Sequence, residues 1–250
     1  MNNQVLIVGS RKTKKLTIAK KIFHASKLDH YASHSGIIIT GLPVETRYYK
    51  AEVRLFIDEV SESKFAGYQE WFEQFQDTDM KELRDSIGGL IITVDMKCLD
   101  NDLSKFSEQL EQITGQMDDE FLEGSEDDKK FQWEGFKVVI GVKNGEYAIA
   151  EAQMSDIEYS ILAAGFLFIS VNENNEGLEQ LVSVIENNQW PSMERKSITK
   201  PQIKIEDNSQ ELGILLERIR RAKLLASSID DKERKETYAK TAMEELMKDL

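Results

Sequence analysis

The sequence predicts an α/β domain of three layers, with a mostly parallel six-stranded sheet between helices, followed by a C-terminal α-helical hairpin. Three observations carry that expectation. Short continuous apolar runs (V5-L-I-V-G9, L90-I-I-T-V-D95 and F136-K-V-V-I-G-V142) read as parallel strands buried on both faces. Segments of helical periodicity lie between them, so the order is strand, helix, two strands, then helix and strand in alternation. Beyond Trp190-Pro191 the pattern changes to a polar stretch and two amphipathic helices with no strand.

The first strand is expected over residues 4–9. The first helix follows over 13–25, with Leu16, Ile18, Ala19, Ile22 and Phe23 on one side. Ile37-Ile38-Ile39 makes a second strand and Gly41-Leu42-Pro43 a turn. Alternation in residues 47–58 makes a third strand, antiparallel to the second. From Tyr68 to Ile87, Trp71, Phe72, Phe75, Leu83 and Ile87 recur at helical spacing, with a break near Asp77-Thr78-Asp79. Gly88-Gly89 then releases a fourth strand over 90–95. A helix at 101–115 leads into an acidic segment, M117-D-D-E-F-L-E-G-S-E-D-D128, expected to be solvated and mobile. A fifth strand at 136–142, a helix at 151–164, a sixth strand at 166–171 and a helix at 176–188 complete the domain. Its ligand crevice belongs at the carboxyl ends of the strands.

A length of 250 residues suits one such domain plus an appendage: a domain over 1–190, a linker over 191–207 and the hairpin over 208–250. With 32 basic and 45 acidic residues the net charge is −13. Such a chain gains little from counterion release at phosphates, so direct nucleic-acid binding is not expected. No apolar run reaches the length of a membrane span, and M-N-N-Q-V leads straight into a strand, so neither a signal peptide nor an anchor is expected. The single cysteine, Cys98, excludes an intramolecular disulfide and fits a reducing, cytoplasmic compartment. It reads as a small residue beyond a buried strand rather than as a nucleophile. His30 and His34 are spaced for one helical face, but a metal site needs a third ligand, and His24 is the only other histidine. No metal is expected.

The segment V5-L-I-V-G-S-R-K-T-K-K-L-T17 has the layout of a phosphate-binding loop, G-x-x-x-x-G-K-[S/T]. In register, Gly9 and Lys15 are kept. Lys14 stands where the second glycine belongs, and Leu16 where the magnesium-binding hydroxyl belongs. Thr17 does not replace that hydroxyl, because one residue on a helix turns the side chain by about 100°. The strand–helix order is that of the small GTPases, a P-loop NTPase-like arrangement, so their other motifs have fixed places. D-x-x-G reads D58-E-V-S61, which keeps Asp58 but has Ser61 for the glycine. N-K-x-D reads V142-K-N-G145, which keeps Lys143; Glu146 takes the aspartate's place only with an altered loop. S170-V-N172 is a weak echo of S-A-K. Losing the base-reading pair and the magnesium hydroxyl costs about 5–8 kcal/mol, or about four to six orders of magnitude in affinity. Gly9, Lys15, Asp58 and Lys143 therefore read as vestigial positions, with Lys14 and Lys15 as solvated residues at a helix start. No catalysis and no cofactor are expected. The alternative is an unconventional GTPase that uses Lys15, Asp58 and Lys143 in an altered site.

In the tail, Asn208 with Glu211 opens a helix whose face is Leu212, Leu215, Ile219, Ala222 and Ala226. Asp230 with Glu233 opens a second, with Tyr238, Ala242, Leu246 and Leu250 on its face. Two helices cannot bury both faces on each other. The hairpin is left to dock on its own domain, to pair with a second copy as a homodimer, or to receive a partner helix.

These residues resemble the α- and γ-adaptin-binding protein family, in its fungal branch. The resemblance is carried by the broken loop after V5-L-I-V-G9, by T46-R-Y-Y-K-A-E-V-R-L-F-I-D58 and by W71-F-E-Q-F75. L83-R-D-S-I-G-G-L-I-I-T-V-D95 and the ending A242-M-E-E-L-M-K-D-L250 add to it, and it spans most of the chain outside 117–135. It implies a small-G-protein-like fold that does not act as a GTPase. It implies an accessory factor or assembly chaperone for clathrin adaptors in vesicle traffic, binding their large adaptin subunits, with a Rab-type GTPase as a further partner. It also implies a genetic link to recombination and chromosomal rearrangement. By that analogy the partner-binding residues are those of the apolar stripe: Leu212, Leu215, Ile219, Tyr238, Ala242 and Leu246.

Overall fold

In the computed structural model, which describes residues 3–23, 35–61, 64–123, 132–145, 149–172 and 174–196, the first strand lies inside the sheet. β1 (Gln4–Gly9) pairs in parallel with β3 (Tyr49–Glu59) on one side and with β4 (Ile87–Asp95) on the other. Val5, Leu6, Ile7 and Val8 are all fully buried, which is why the run is apolar without alternation. β5 (Phe136–Val142) and β6 (Leu167–Val171) extend the parallel ladder beyond β4. β2 (Ile37–Glu45) pairs antiparallel with β3 at the opposite edge, giving the order β2-β3-β1-β4-β5-β6. The chain divides into two units, Met1–Ser197 and Ile198–Leu250, and only the first is described below.

Successive residues of β1 feed different cores. Val5 and Ile7 pack with Ile18, Ile22 and Phe23 of α1 (Lys15–Phe23) and with Leu181 and Ile185 of α6 (Leu178–Asn187). Leu6 and Val8 pack with Phe72 of α2 (Phe65–Gln76), with Phe106 and Leu110 of α4 (Met96–Glu123), and with Ile157 of α5 (Glu151–Ala163). The result is three layers, helices on both faces of a mostly parallel sheet, in the small-GTPase-like arrangement expected from sequence. β2 and β3 are covered on one face only, so Lys50, Glu52 and Arg54 alternate outward.

Several expectations are corrected. The chain does not turn at Gly41-Leu42-Pro43. Gly41, at φ 72°, forms a bulge between Ile39 and Leu42, and β2 runs on to Glu45. Pro43 is tolerated because β2 is an edge strand. The reversal comes at residues 46–48, where the Thr46 hydroxyl accepts the amides of Tyr48 and Tyr49 at 3.1 Å each. Gly88-Gly89 lies inside β4, which begins at Ile87, and a Cβ on Gly89 would enter the Phe136 ring. The break expected near Asp77-Thr78-Asp79 is present as a 3-10 turn at Thr78–Met80 between α2 and α3 (Lys81–Ser86), but the helical stretch stops at Ser86 and Ile87 belongs to β4.

The acidic segment is helical as far as Glu123, because α4 runs on past residue 115. Met117 is buried, and Asp118 accepts the Trp133 amide at 2.8 Å. Glu120 takes two hydrogen bonds, at 2.8 and 2.6 Å, from Arg84. Residues 124–128 lie outside the described residues. At the other end, the stretch expected to begin a linker is tied to the sheet. β7 (Glu194–Arg195) pairs antiparallel with Tyr49 and Lys50, and Lys196 Nζ reaches Glu45 at 2.7 Å. The rest of the linker, the hairpin, and His24, His30 and His34 lie outside the described residues.

Arg84 also donates to the Phe75 carbonyl in the last turn of α2 and to the Asp77 carbonyl, which accepts the Met80 amide at 3.1 Å as well. Arg84→Ala would remove the cation paired with Glu120 and the side-chain donor to the Phe75 carbonyl, and is expected to cost about 3–5 kcal/mol in chemical denaturation. Hydrogen bonding to Arg84 holds the Glu120 carboxyl below its ordinary value. That contribution is complete above the unfolded value and is lost as pH falls through the lowered one. Stability of the native chain should therefore decline on acidification below pH 4.5 by a component that Arg84→Met lacks.

Candidate functional site

The carboxyl end of β1 is where a phosphate-binding loop would stand, and its side chains face each other. Ser10 leaves the strand, a 3-10 turn covers Arg11–Thr13, and α1 begins at Lys15. The amides of Thr13 and Lys14 donate to the Ser10 and Arg11 carbonyls at 3.2 and 3.4 Å, so they point into the turn and not at a ligand. Lys14 has φ 54° and ψ 27°, the left-handed conformation that a glycine would adopt without strain. A glycine-like backbone conformation is thus found at the position where the motif's glycine is lost.

Lys15 is not a solvated residue at a helix start. It is fully buried, with Nζ 2.6 Å from the Gly9 carbonyl and 3.3 Å from Glu59 Oε2. Burial pushes its ammonium below the ordinary value, and Glu59 opposes that shift. Arg11 Nε lies 3.4 Å from the other Glu59 oxygen. Glu59 reaches this place through the parallel ladder, which sets it directly opposite Gly9. The Gly9 carbonyl also accepts the Val60 amide at 3.2 Å. Lys14, by contrast, is exposed as expected.

Gly9 is required by packing. A Cβ there would enter Thr93 Oγ1 and come within 2.5 Å of the Thr93 carbonyl and 2.8 Å of Thr13 Oγ1. Thr93 and Thr13 are themselves buried, their hydroxyls 2.6 Å apart. Tyr68 donates to the Thr93 carbonyl at 2.8 Å.

Asp58 is engaged structurally. Its Oδ1 accepts the Ser35 hydroxyl and the Glu59 amide, both at 2.9 Å, and Oδ2 accepts the Trp71 indole at 3.0 Å. Ser61, in the position of the missing glycine, reaches Glu70 at 3.3 Å. Lys143 begins the loop after β5 and its amide donates to the Val171 carbonyl at 2.9 Å. The neighbouring Asn144 does the bridging, reaching Asp95 at 2.6 Å and the Lys12 carbonyl at 3.3 Å. Gly9, Lys15 and Asp58 thus converge through Glu59, while Lys143 lies beside Asn144. Glu146 and the stripe from Leu212 to Leu246 lie outside the described residues. Beside the loop is an open cleft of about 340 Å³ lined by Ser10, Arg11, Lys12, Glu59, Val60, Ser61 and Lys64.

Sequence reasoning missed Glu59, Arg11, Thr93 and Asn144. A threonine inside an otherwise apolar buried strand was one available signal, since its hydroxyl needs a partner. The acidic pair Asp58-Glu59, facing four basic residues between Arg11 and Lys15, was another. Burial pushes the Cys98 thiol up to about 12, so it stays protonated and packs as a small apolar group. Among the described residues no cluster of three His, Cys, Asp or Glu side chains is placed to hold a metal. No described helix is long and apolar enough to cross a membrane.

Substitutions separate backbone from side-chain roles. Lys14→Gly should be more stable than Lys14→Val by about 1–2 kcal/mol in urea denaturation, because only the latter worsens left-handed strain. Gly9→Ala should lose about 1–3 kcal/mol through overpacking against Thr93, whether or not nucleotide is present.

No protein-family model matches the chain. It is 27% identical over 279 residues to the Increased recombination centers protein 6 of Candida tropicalis, covering 98% of each chain. It is 29% identical to that of Candida albicans strain SC5314, over 80% of this chain and 76% of the relative. Among solved structures it is similar to yeast Irc6p, described as a novel type of conserved clathrin accessory protein. The TM-score is 0.54 at 19% identity, covering 78% of this chain and 97% of that one, a likeness of fold. The curated homologues of this chain all carry one name, Increased recombination centers protein 6.

Proposed function

We propose that the protein is a non-catalytic accessory factor of clathrin adaptors, carried on a GTPase-like fold whose nucleotide site is closed by its own side chains. The observation that supports this most is Lys15. In a phosphate-binding loop the lysine reaches the β/γ-phosphates; here its ammonium is buried against Gly9 and Glu59. Three changes add to it: Leu16 offers no hydroxyl for magnesium, Asp58 is held by Trp71 and Ser35, and V142-K-N-G145 has no base-reading aspartate. The likeness to yeast Irc6p and to the curated relatives supports the clathrin-associated role.

Adaptin binding, in adaptor assembly or traffic, is assigned to the C-terminal stripe of Leu212, Leu215, Ile219, Tyr238, Ala242 and Leu246. Their spacing in the sequence is that of one helical face in each half of the expected hairpin, and a face of that kind needs a further surface to cover it. A Rab-type GTPase and a second copy of the chain are the other partners that the same reading admits.

Pull-down of purified adaptor large subunits by the full chain tests the proposal. The expected result is capture by the full chain, and loss of it on deleting 208–250 or in Leu215→Glu/Leu246→Glu. Capture that survives the deletion overturns the stripe assignment, and failure of the full chain to capture any adaptin overturns the adaptor role.

A further inference from the structure

We infer that Glu59 is an internal anion: its carboxylate takes the place of a bound phosphate between Arg11 and Lys15, so the chain carries its own ligand for the loop. The inference deepens the closed-loop reading above and rests on it.

Three features put this carboxylate where an anion belongs. The ladder between β1 and β3 sets Glu59 opposite Gly9, at the carboxyl end of the sheet, where α/β domains bind their ligands. Its two oxygens are divided between two cations, Oε1 at 3.4 Å from Arg11 Nε and Oε2 at 3.3 Å from Lys15 Nζ. Lys15 is also the first residue of α1, a nine-residue helix whose N-terminal amides favour negative charge. A fully buried ammonium needs a counter-charge, and an exposed surface pair would not. Glu59 meets that need from within the chain.

The arrangement also says what an outside ligand would meet. The side chain of Glu59 is 23% exposed and forms part of the wall of the 340 Å³ cleft, where Arg11, Lys12 and Lys64 gather on a chain of net charge −13. An anion entering there encounters Arg11 and Lys15 already paired with Glu59, together with the like charge of that carboxylate. The opposition to an outside anion is therefore electrostatic, and it depends on one residue, Glu59. The ligand class admitted once Glu59 is neutralised is a compact multivalent phosphate, which needs neither a base-reading loop nor a magnesium hydroxyl.

Inorganic pyrophosphate titrated by calorimetry into the full chain, into Glu59→Gln and into Glu59→Ala at fixed ionic strength tests this. Thermal unfolding first establishes that each variant is folded. The expected result is binding to Glu59→Gln tighter than to the native chain by about tenfold or more, in line with freeing one charge-assisted bond and removing one repulsion. Lys15→Met added to Glu59→Gln should abolish the gain. No gain in either folded Glu59 variant overturns the internal-anion assignment and leaves the closed-loop reading standing. A gain that survives Lys15→Met also overturns it. Native protein that binds pyrophosphate as tightly as Glu59→Gln overturns both readings.

Discussion

The close approach of Gly9 to Thr93 organises the carboxyl end of the sheet. With no side chain on Gly9, β1 packs against β4 near enough for the buried Thr93 and Thr13 hydroxyls to meet. The Gly9 carbonyl is then held by Lys15 and by the Val60 amide, which fixes α1 and the end of β3 to the same point. Four elements meet at one backbone carbonyl and one absent methyl group. In a nucleotide-binding protein a glycine at this position is explained by phosphate. In this chain packing against Thr93 and Thr13 is by itself enough to require it.

The rest of the loop has the same character. Lys14 adopts a glycine's backbone angles at some cost in strain, which shows that the path of the chain is imposed by its surroundings and not by local preference. Lys15 and Asp58, which would serve phosphate and magnesium, are turned to internal partners. A buried ion pair of this type adds little net stability over an apolar substitute, yet it is costly to break singly. Both side chains are therefore committed to internal partners, and freeing either one means breaking a buried or part-buried contact.

Much of the fold was legible in the sequence because its strands are buried on both faces. β1 and β5 stand at the residues expected, since a continuous apolar run bounded by glycine or by polar residues leaves little choice. The β2–β3 turn was misplaced because Gly41 and Pro43 signal a turn locally, whereas edge-strand pairing absorbs them as a bulge. The acidic stretch was misjudged from charge alone: Met117 is held in the core and Glu120 by Arg84, thirty-six residues away. Such long-range partners leave no periodic trace. At the site, loss of the nucleotide motifs was readable by position, but the fate of Lys15 was not. It depends on Glu59, which only the parallel ladder brings opposite Gly9.

The central claim is that a GTPase-like fold is kept here without its nucleotide. Titration calorimetry of the purified chain with GTP and with GDP, in millimolar magnesium and at protein concentrations that resolve a micromolar complex, tests it most directly. The account predicts no binding heat with either nucleotide. Saturable binding at micromolar concentration or tighter, lost in Lys15→Ala, would contradict it and make the protein an unconventional GTPase.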